Sequence, residues 1–197
     1  MFLEMDRLCS MSKSVVVENY DAAWAKHFVE LKALLWPAVQ DFAISIEHVG
    51  STSVPGLAAK PVIDIDIVIP DMSSLNLAIQ KLSALGYEHR GDLGIKDREA
   101  FRTRSPLHAH HLYVCPQNSI ALKNHLCLRE ALKGDTKLRD EYASLKFDLA
   151  TRFPTSIDDY IEGKTAFILK ILQSHGYGPD SLEAIRIANL APASRNL

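Results

Sequence analysis

The sequence predicts an α+β domain in which strands and helices interleave up to about Cys115 and helices alone follow. Short runs in the first part alternate in polarity or are β-branched and end at Pro or Gly, most clearly Ile63 to Ile69. From Ser119 onward, apolar residues recur at the 3.6-residue spacing of amphipathic helices. No long linker separates the two parts, and the helices' apolar faces need a partner. Residues 15–190 are therefore expected to fold as one unit, with an α/β core over about 15–116 and a helical part over about 118–190. With 197 residues, 47% hydrophobic and 23% charged, the chain can bury a real core.

The elements follow in order. Residues 15–17 form a short β-branched run. Asp21 then offers an N-cap ahead of Trp24, Phe28, Leu31 and Leu35, an apolar stripe that predicts a helix ending near Pro37. Residues 43–49 alternate loosely and predict a strand running into the Gly50-Ser51 turn. A loop punctuated by Pro55 and Gly56 leads to Lys60, and a strand follows to Ile69, closed by Pro70-Asp71. Ser73 can cap a helix carrying Leu75, Ile79, Leu82 and Leu85, ended by Gly86. Residues 87–90, 98–104 and 110–115 predict three further strands. Helices are expected over residues 119–133, 136–152, 156–174 and 181–190.

Composition narrows the function classes. A formal net charge of −2 supplies no overall basic field for nucleic acid or membrane surfaces. Cys9, Cys115 and Cys127 are odd in number and lack a CxxC pair, which predicts reduced thiols in a cytoplasmic protein. No run of about 18 apolar residues suggests a membrane span. Residues 1–14 do not fit a secretory signal and are expected to be a flexible leader, with residues 191–197 a loose tail.

Alternation puts Ile63, Ile65, Ile67 and Ile69 on one face of their strand and Val62, Asp64, Asp66 and Val68 on the other. The isoleucines predict core. Two carboxylates on one face, about 6 to 7 Å apart at Cα, can grip a hard cation such as Mg²⁺, or Mn²⁺ in its place; alternatively they are solvated acids on an exposed face. Gly50, Ser51 and Thr52 stand just upstream, where a glycine permits close backbone approach and hydroxyls can hold phosphate oxygens; the alternative is an ordinary strand-ending turn. Arg98, Arg102 and Arg104 share a strand face that could clamp phosphates or merely protect a sheet edge, with Arg102 favoured by its central place. Lys60 could reach a phosphate or pair with Asp64. Lys146 and Lys164 would contribute only if their helices fold over the site, and Tyr160, on the face of Lys164, could stack on a base or fill the core. His108, His110 and His111 suggest zinc, but no Cys or acid completes a ligand set.

Gly-Ser, a loop and Asp-x-Asp on a strand together resemble the signature of the nucleotidyltransferase superfamily, the polymerase-β-like group. The longer string from His48 through Gly50-Ser51-Thr52-Ser53-Val54-Pro55-Gly56-Leu57 and Lys60-Pro61 to Asp64 resembles the GrpB family, also called UPF0157. Further matches are Tyr20-Asp21, Trp24, Leu85-Gly86-Tyr87, His110 to Val114, Leu128 to Leu132, Tyr142, Leu145-Lys146, Tyr160 and Lys164. The resemblance implies a nucleotidyltransferase-like mixed β-sheet flanked by helices, with a helical C-terminal portion. It also implies transfer of a nucleoside monophosphate from a nucleoside triphosphate (NTP) to an acceptor it does not identify, with Asp64 and Asp66 on the metal.

A third carboxylate usual in that superfamily is missing here. The expected neighbouring strand offers His111 and Tyr113 on one face, so Tyr113 is a candidate substrate contact and His111 the candidate substitute, as general base or weak ligand, against the alternative of a packed strand histidine. A non-catalytic module binding a nucleotide or a CoA-related metabolite in the same pocket is the competing expectation.

Overall fold

The computed structural model describes residues 14–104 and 106–190; the expected leader up to residue 13, Cys9 and the tail from residue 191 lie outside them. In chain order the elements are α1 (Ala23–Val39), β1 (Ser45–Val49), a 3₁₀ turn (Ser51–Ser53), β2 (Ile63–Ile69), a second 3₁₀ turn (Met72–Ser74), α2 (Leu75–Ala84), β3 (Tyr87–Gly91), β4 (Glu99–Thr103), β5 (His110–Pro116), α3 (Ile120–Gly134), α4 (Thr136–Arg152), α5 (Ile157–Ser174) and α6 (Pro179–Ala188). The sheet is mixed, in the order β1-β2-β5-β4-β3, with β2 and β5 parallel and the other pairs antiparallel. The α+β class and the expected neighbour of the aspartate strand are both observed.

Packing follows the alternation. Ile63, Ile65, Ile67 and Ile69 join Leu112, Val114 and Phe101 in a core closed by Trp24, Leu31 and Leu35 of α1 and Ala78 and Leu82 of α2. On the opposite face Val68, Tyr113 and Cys115 pack against Leu122 of α3. The helical part has its own core, and Val54 and Leu57 of the loop before β2 are fully buried in it among Leu128, Tyr142 and Ile168. Gly163 lets α5 approach α4 closely, since a Cβ there would collide with the Leu149 side chain. Because the loop is plugged into the helical core, α4 and α5 stand beside the strand that carries Asp64.

Element ends differ from expectation for local reasons. α1 runs through Pro37 to Val39: a proline in the last turn gives up one N–H bond yet does not stop the helix. Asp71 caps the second 3₁₀ turn by accepting from Ser73 N at 2.8 Å, so the aspartate does the capping assigned to Ser73. Ser119 and Ser156 cap α3 and α5 as their sequence positions suggest.

Candidate functional site

A narrow cleft of about 40 Å³ lies between the Ser51–Ser53 turn, the start of β2 and the helices α4 and α5. Ser51, Thr52 and Lys60 line one side, Asp64 and His111 the floor, and Tyr142, Lys146, Tyr160 and Lys164 the helical wall. Of the sequence candidates, Ser51, Thr52, Lys60, Asp64, His111, Lys146 and Lys164 are thus brought together.

The floor is held by register. Asp64 of β2 lies opposite His111 of β5, and His111 Nδ1 donates to Asp64 Oδ1 at 2.9 Å. Asp64 keeps 8% exposure and His111 7%, as groups at the bottom of an open cleft. Gly50 touches the same carboxylate. Its backbone sits at φ 72°, ψ −176°, a region essentially restricted to glycine, and a Cβ there would collide with Asp64 Oδ2 and stand 2.8 Å from Cγ. Ser53 Oγ donates to the Gly50 carbonyl at 2.6 Å and pins the turn.

The wall is cationic and largely dry. Lys146 is 2% exposed; its ammonium donates to the Ala58 carbonyl and lies 4.7 Å over the Tyr142 ring. Burial first, and then the neighbouring Lys164 ammonium, hold its pKa well below the usual lysine range. Lys164 is buried with its ammonium 4.4 Å over Tyr160. A dehydrated cation costs free energy unless an anion accompanies it, so two adjacent ammoniums in one cleft favour a polyanionic ligand.

His48 supports the turn from behind. Its ring stacks on Phe28 with centroids 4.6 Å apart, and its Nε2 lies 3.1 Å from Thr52 Oγ1. Burial pushes its pKa down from 6.5 to about 4, although Asp64 pulls the other way. The unfolded chain therefore binds a proton that the folded one does not between pH 6.5 and about 4, and stability is lost as the pH falls through that window. The loss contributed by this group is at most roughly 3 kcal/mol. Urea unfolding from pH 7 to pH 4 should show this loss, and His48→Phe should shrink it.

Asp66 is elsewhere. It is fully buried, and His125 of α3 donates from Nδ1 to its Oδ2 at 2.6 Å, with His125 buried as well. Register sets Asp66 beside Tyr113, and the Arg98 guanidinium lies 4.4 Å over the Tyr113 ring, so Tyr113 and Arg98 belong to this interior and not to the cleft. Arg102 and Arg104 line a separate groove at β3 and β4. The expected contacts of Tyr113 and Arg102 with a ligand beside Asp64 are thus corrected: one side chain is sealed under α3, the other is a strand further across the sheet.

The same placement tests the expected cation. Asp66 Oδ1 is buried with no hydrogen-bond partner among the described residues, as a metal ligand's oxygen would be. Mg²⁺, however, keeps several waters and needs open space, whereas Asp66 has no exposure and does not line the cleft. Among the described residues no three His, Cys, Asp or Glu side chains gather as a metal site. The residues therefore do not fit a metal gripped by both aspartates, and a cation arriving with a ligand would meet Asp64 alone.

His125 was not singled out from the sequence, though a signal was there. It occupies the buried stripe Ala121, His125, Leu128, Leu132 of α3, where an imidazole among apolar neighbours requires a buried partner.

Sheet order, flanking helices and the strand-borne Asp64 next to the Gly50-Ser51 turn define a nucleotidyltransferase-like fold. The chain overlays the Cid1 poly(U) polymerase with MgGTP bound at a TM-score of 0.50 and 18% identity, over 68% of this chain and 44% of that one. A narrower grouping follows from the sequence. The family model described as GrpB protein matches residues 14–174, and the chain belongs to that family. The conserved protein GrpB from Enterococcus faecalis has the same fold at a TM-score of 0.72 and 32% identity, covering 85% of this chain and 98% of that one. UPF0157 protein YqkA of Bacillus subtilis is 35% identical over 156 residues, 79% of this chain and 46% of the relative, so the chain spans less than half of that relative's length. No helix among the described residues is long and apolar enough to cross a membrane.

Proposed function

We propose that the cleft binds the phosphates of a nucleoside triphosphate and that the chain is a nucleotide-binding protein on a nucleotidyltransferase fold. The observation that carries this is the pair of buried lysines, Lys146 and Lys164, facing Ser51, Thr52 and Asp64 across one cleft. The lysines supply charge compensation that a metal held by two aspartates would otherwise give. Lys60 adds a third ammonium at the mouth, and Tyr142 and Tyr160 offer rings on the wall. The Cid1 polymerase was solved with MgGTP, a ligand of the class proposed here.

The His111–Asp64 hydrogen bond favours a second reading in which nucleotidyl transfer occurs in the same cleft. With Nδ1–H donated to Asp64, the basic nitrogen of neutral His111 is Nε2. It would take the proton of an acceptor hydroxyl as that oxygen bonds to the α-phosphorus and the bond to pyrophosphate breaks. Pyrophosphate release over an acceptor panel, abolished in His111→Ala, is the corresponding assay.

Calorimetric titration with NTPs tests the binding reading. Lys146→Met should weaken binding about 10- to 100-fold. It should also stabilise the free protein, because it removes a buried cation. Below the folded pKa Lys146 is protonated in both states; between that value and the usual 10.5 the unfolded chain binds the extra proton, so stability rises with pH across the window. A phosphate in the cleft reverses the depression, so binding within that window should take up a proton, read from titrations in buffers of different ionisation enthalpy. Wild-type protein that binds no NTP, or Lys146→Met that binds it unchanged, would contradict the reading.

A further inference from the structure

Glu88, Arg90, Arg102 and Arg104 line an open groove of about 710 Å³ over β3 and β4. Leu85, Gly86 and Thr103 complete its lining at the end of the sheet, and register places Arg102 and Glu88 on the Asp64 face. Residues opposite one another in a ladder project to the same side; Asp64 pairs with His111, and Ala100 with Tyr113, two residues along from His111. Arg102, two residues beyond Ala100, shares that side, and it pairs with Glu88 of β3. The β4–β5 ladder ends at the Phe101–Leu112 pair, and Arg102 is the next residue along β4. Asp64 and Arg102 lie on strands two places apart in the sheet, a separation on the order of 10 Å.

The groove's charge is local and opposite to that of the chain. Three arginines face one acid, Glu88, which bonds Arg90 at 2.7 Å, on a protein of formal net charge −2. Protection of a sheet edge does not explain Arg102, because β4 lies between β5 and β3 and the edge strand on that side is β3. Helix α3 covers this face over Tyr113 and Cys115, while α2 packs on the opposite one, so the β3–β4 end stays open. Guanidinium groups in an open groove match phosphate, which they bind bidentately.

We propose, resting on the phosphate reading of the cleft, that this groove holds a second phosphate group, carried by an anionic acceptor that lies across the sheet from His111 to Arg102. The acceptor is either a polynucleotide end or a small phosphorylated metabolite, and two probes separate them: a short 5′-phosphorylated single-stranded oligonucleotide and adenosine 3′,5′-bisphosphate. Each is titrated into wild-type protein, the Arg102→Gln/Arg104→Gln double variant and the Arg102→Lys/Arg104→Lys double variant, with circular dichroism as the check on folding. The wild type should bind at least one probe. The glutamine variant should lose about 10- to 100-fold in affinity and about two units of salt slope. The lysine variant should keep most of that slope, because the charge is retained.

Binding of the oligonucleotide alone assigns a polymeric acceptor, and binding of the bisphosphate a small one. Binding of neither, or an affinity unchanged in the glutamine variant, overturns the groove. NTP titrated into the same proteins reads the cleft separately: NTP bound without either probe removes the groove alone, and no NTP bound removes the cleft reading as well.

Discussion

Asp66→Ala should lower the unfolding free energy by about 3–5 kcal/mol, because it removes the carboxylate to which a buried histidine donates. His125 and Asp66 are both sealed beneath α3, and water cannot replace the lost acceptor. Asp64→Ala should cost less, about 1–2 kcal/mol, because Asp64 and His111 retain some exposure at the cleft floor and water can take over the hydrogen bond. Urea unfolding of the two variants in one buffer gives the comparison. Equal losses, or a larger loss at Asp64, would show that the two carboxylates share one environment, contrary to the division drawn here between a structural and a site-facing aspartate.

Gly50→Ala should be the most damaging small change at the site. The glycine's φ of 72° with ψ near 180° strains any L side chain, and the added Cβ meets the Asp64 carboxylate, itself tied to His111. The turn cannot easily swing away, because Ser53 Oγ holds the Gly50 carbonyl. A loss of about 2–3 kcal/mol follows, together with displacement of Asp64 and loss of NTP binding. Gly91→Ala is the control: its φ is also positive, at 77°, but a Cβ there meets nothing within 4 Å. It should show about 1 kcal/mol of backbone strain and no binding defect. Similar losses in both variants, with binding intact, would mean that close approach to Asp64 does not require the glycine.

How legible the site was depended on the range of the interaction. The period-2 pattern of Ile63 to Ile69 placed the core face and the aspartate face correctly, and the next apolar strand with His111 proved to be the neighbour of β2. The faces follow from local alternation, and the neighbour from the resemblance to the nucleotidyltransferase superfamily. Asp66 was read with Asp64 because alternation gives both the same face; which of them stays open depends on where α3 crosses, and no local pattern carries that. The capture of Asp66 by His125 joins residues 59 positions apart. Lys146 and Lys164 could be named only as helix positions, and they reach the cleft because Val54 and Leu57 plug the loop into the helical core. Arg102 was assigned to the cleft because strand order was unknown, and β5 intervenes between β4 and β2.

The central claim is that Asp64 faces the ligand while Asp66 serves the fold. Calorimetric titration of an NTP in the presence and absence of Mg²⁺, run on the wild type and on Asp66→Asn, tests it most directly, since asparagine can still accept from His125 and keep the protein folded. The account predicts the same affinity, within about twofold, for the two proteins under both conditions, as for a residue that touches neither phosphate nor cation. An Asp66→Asn protein that folds normally but loses the Mg²⁺-dependent part of NTP binding would contradict it, and would return both aspartates to a shared metal.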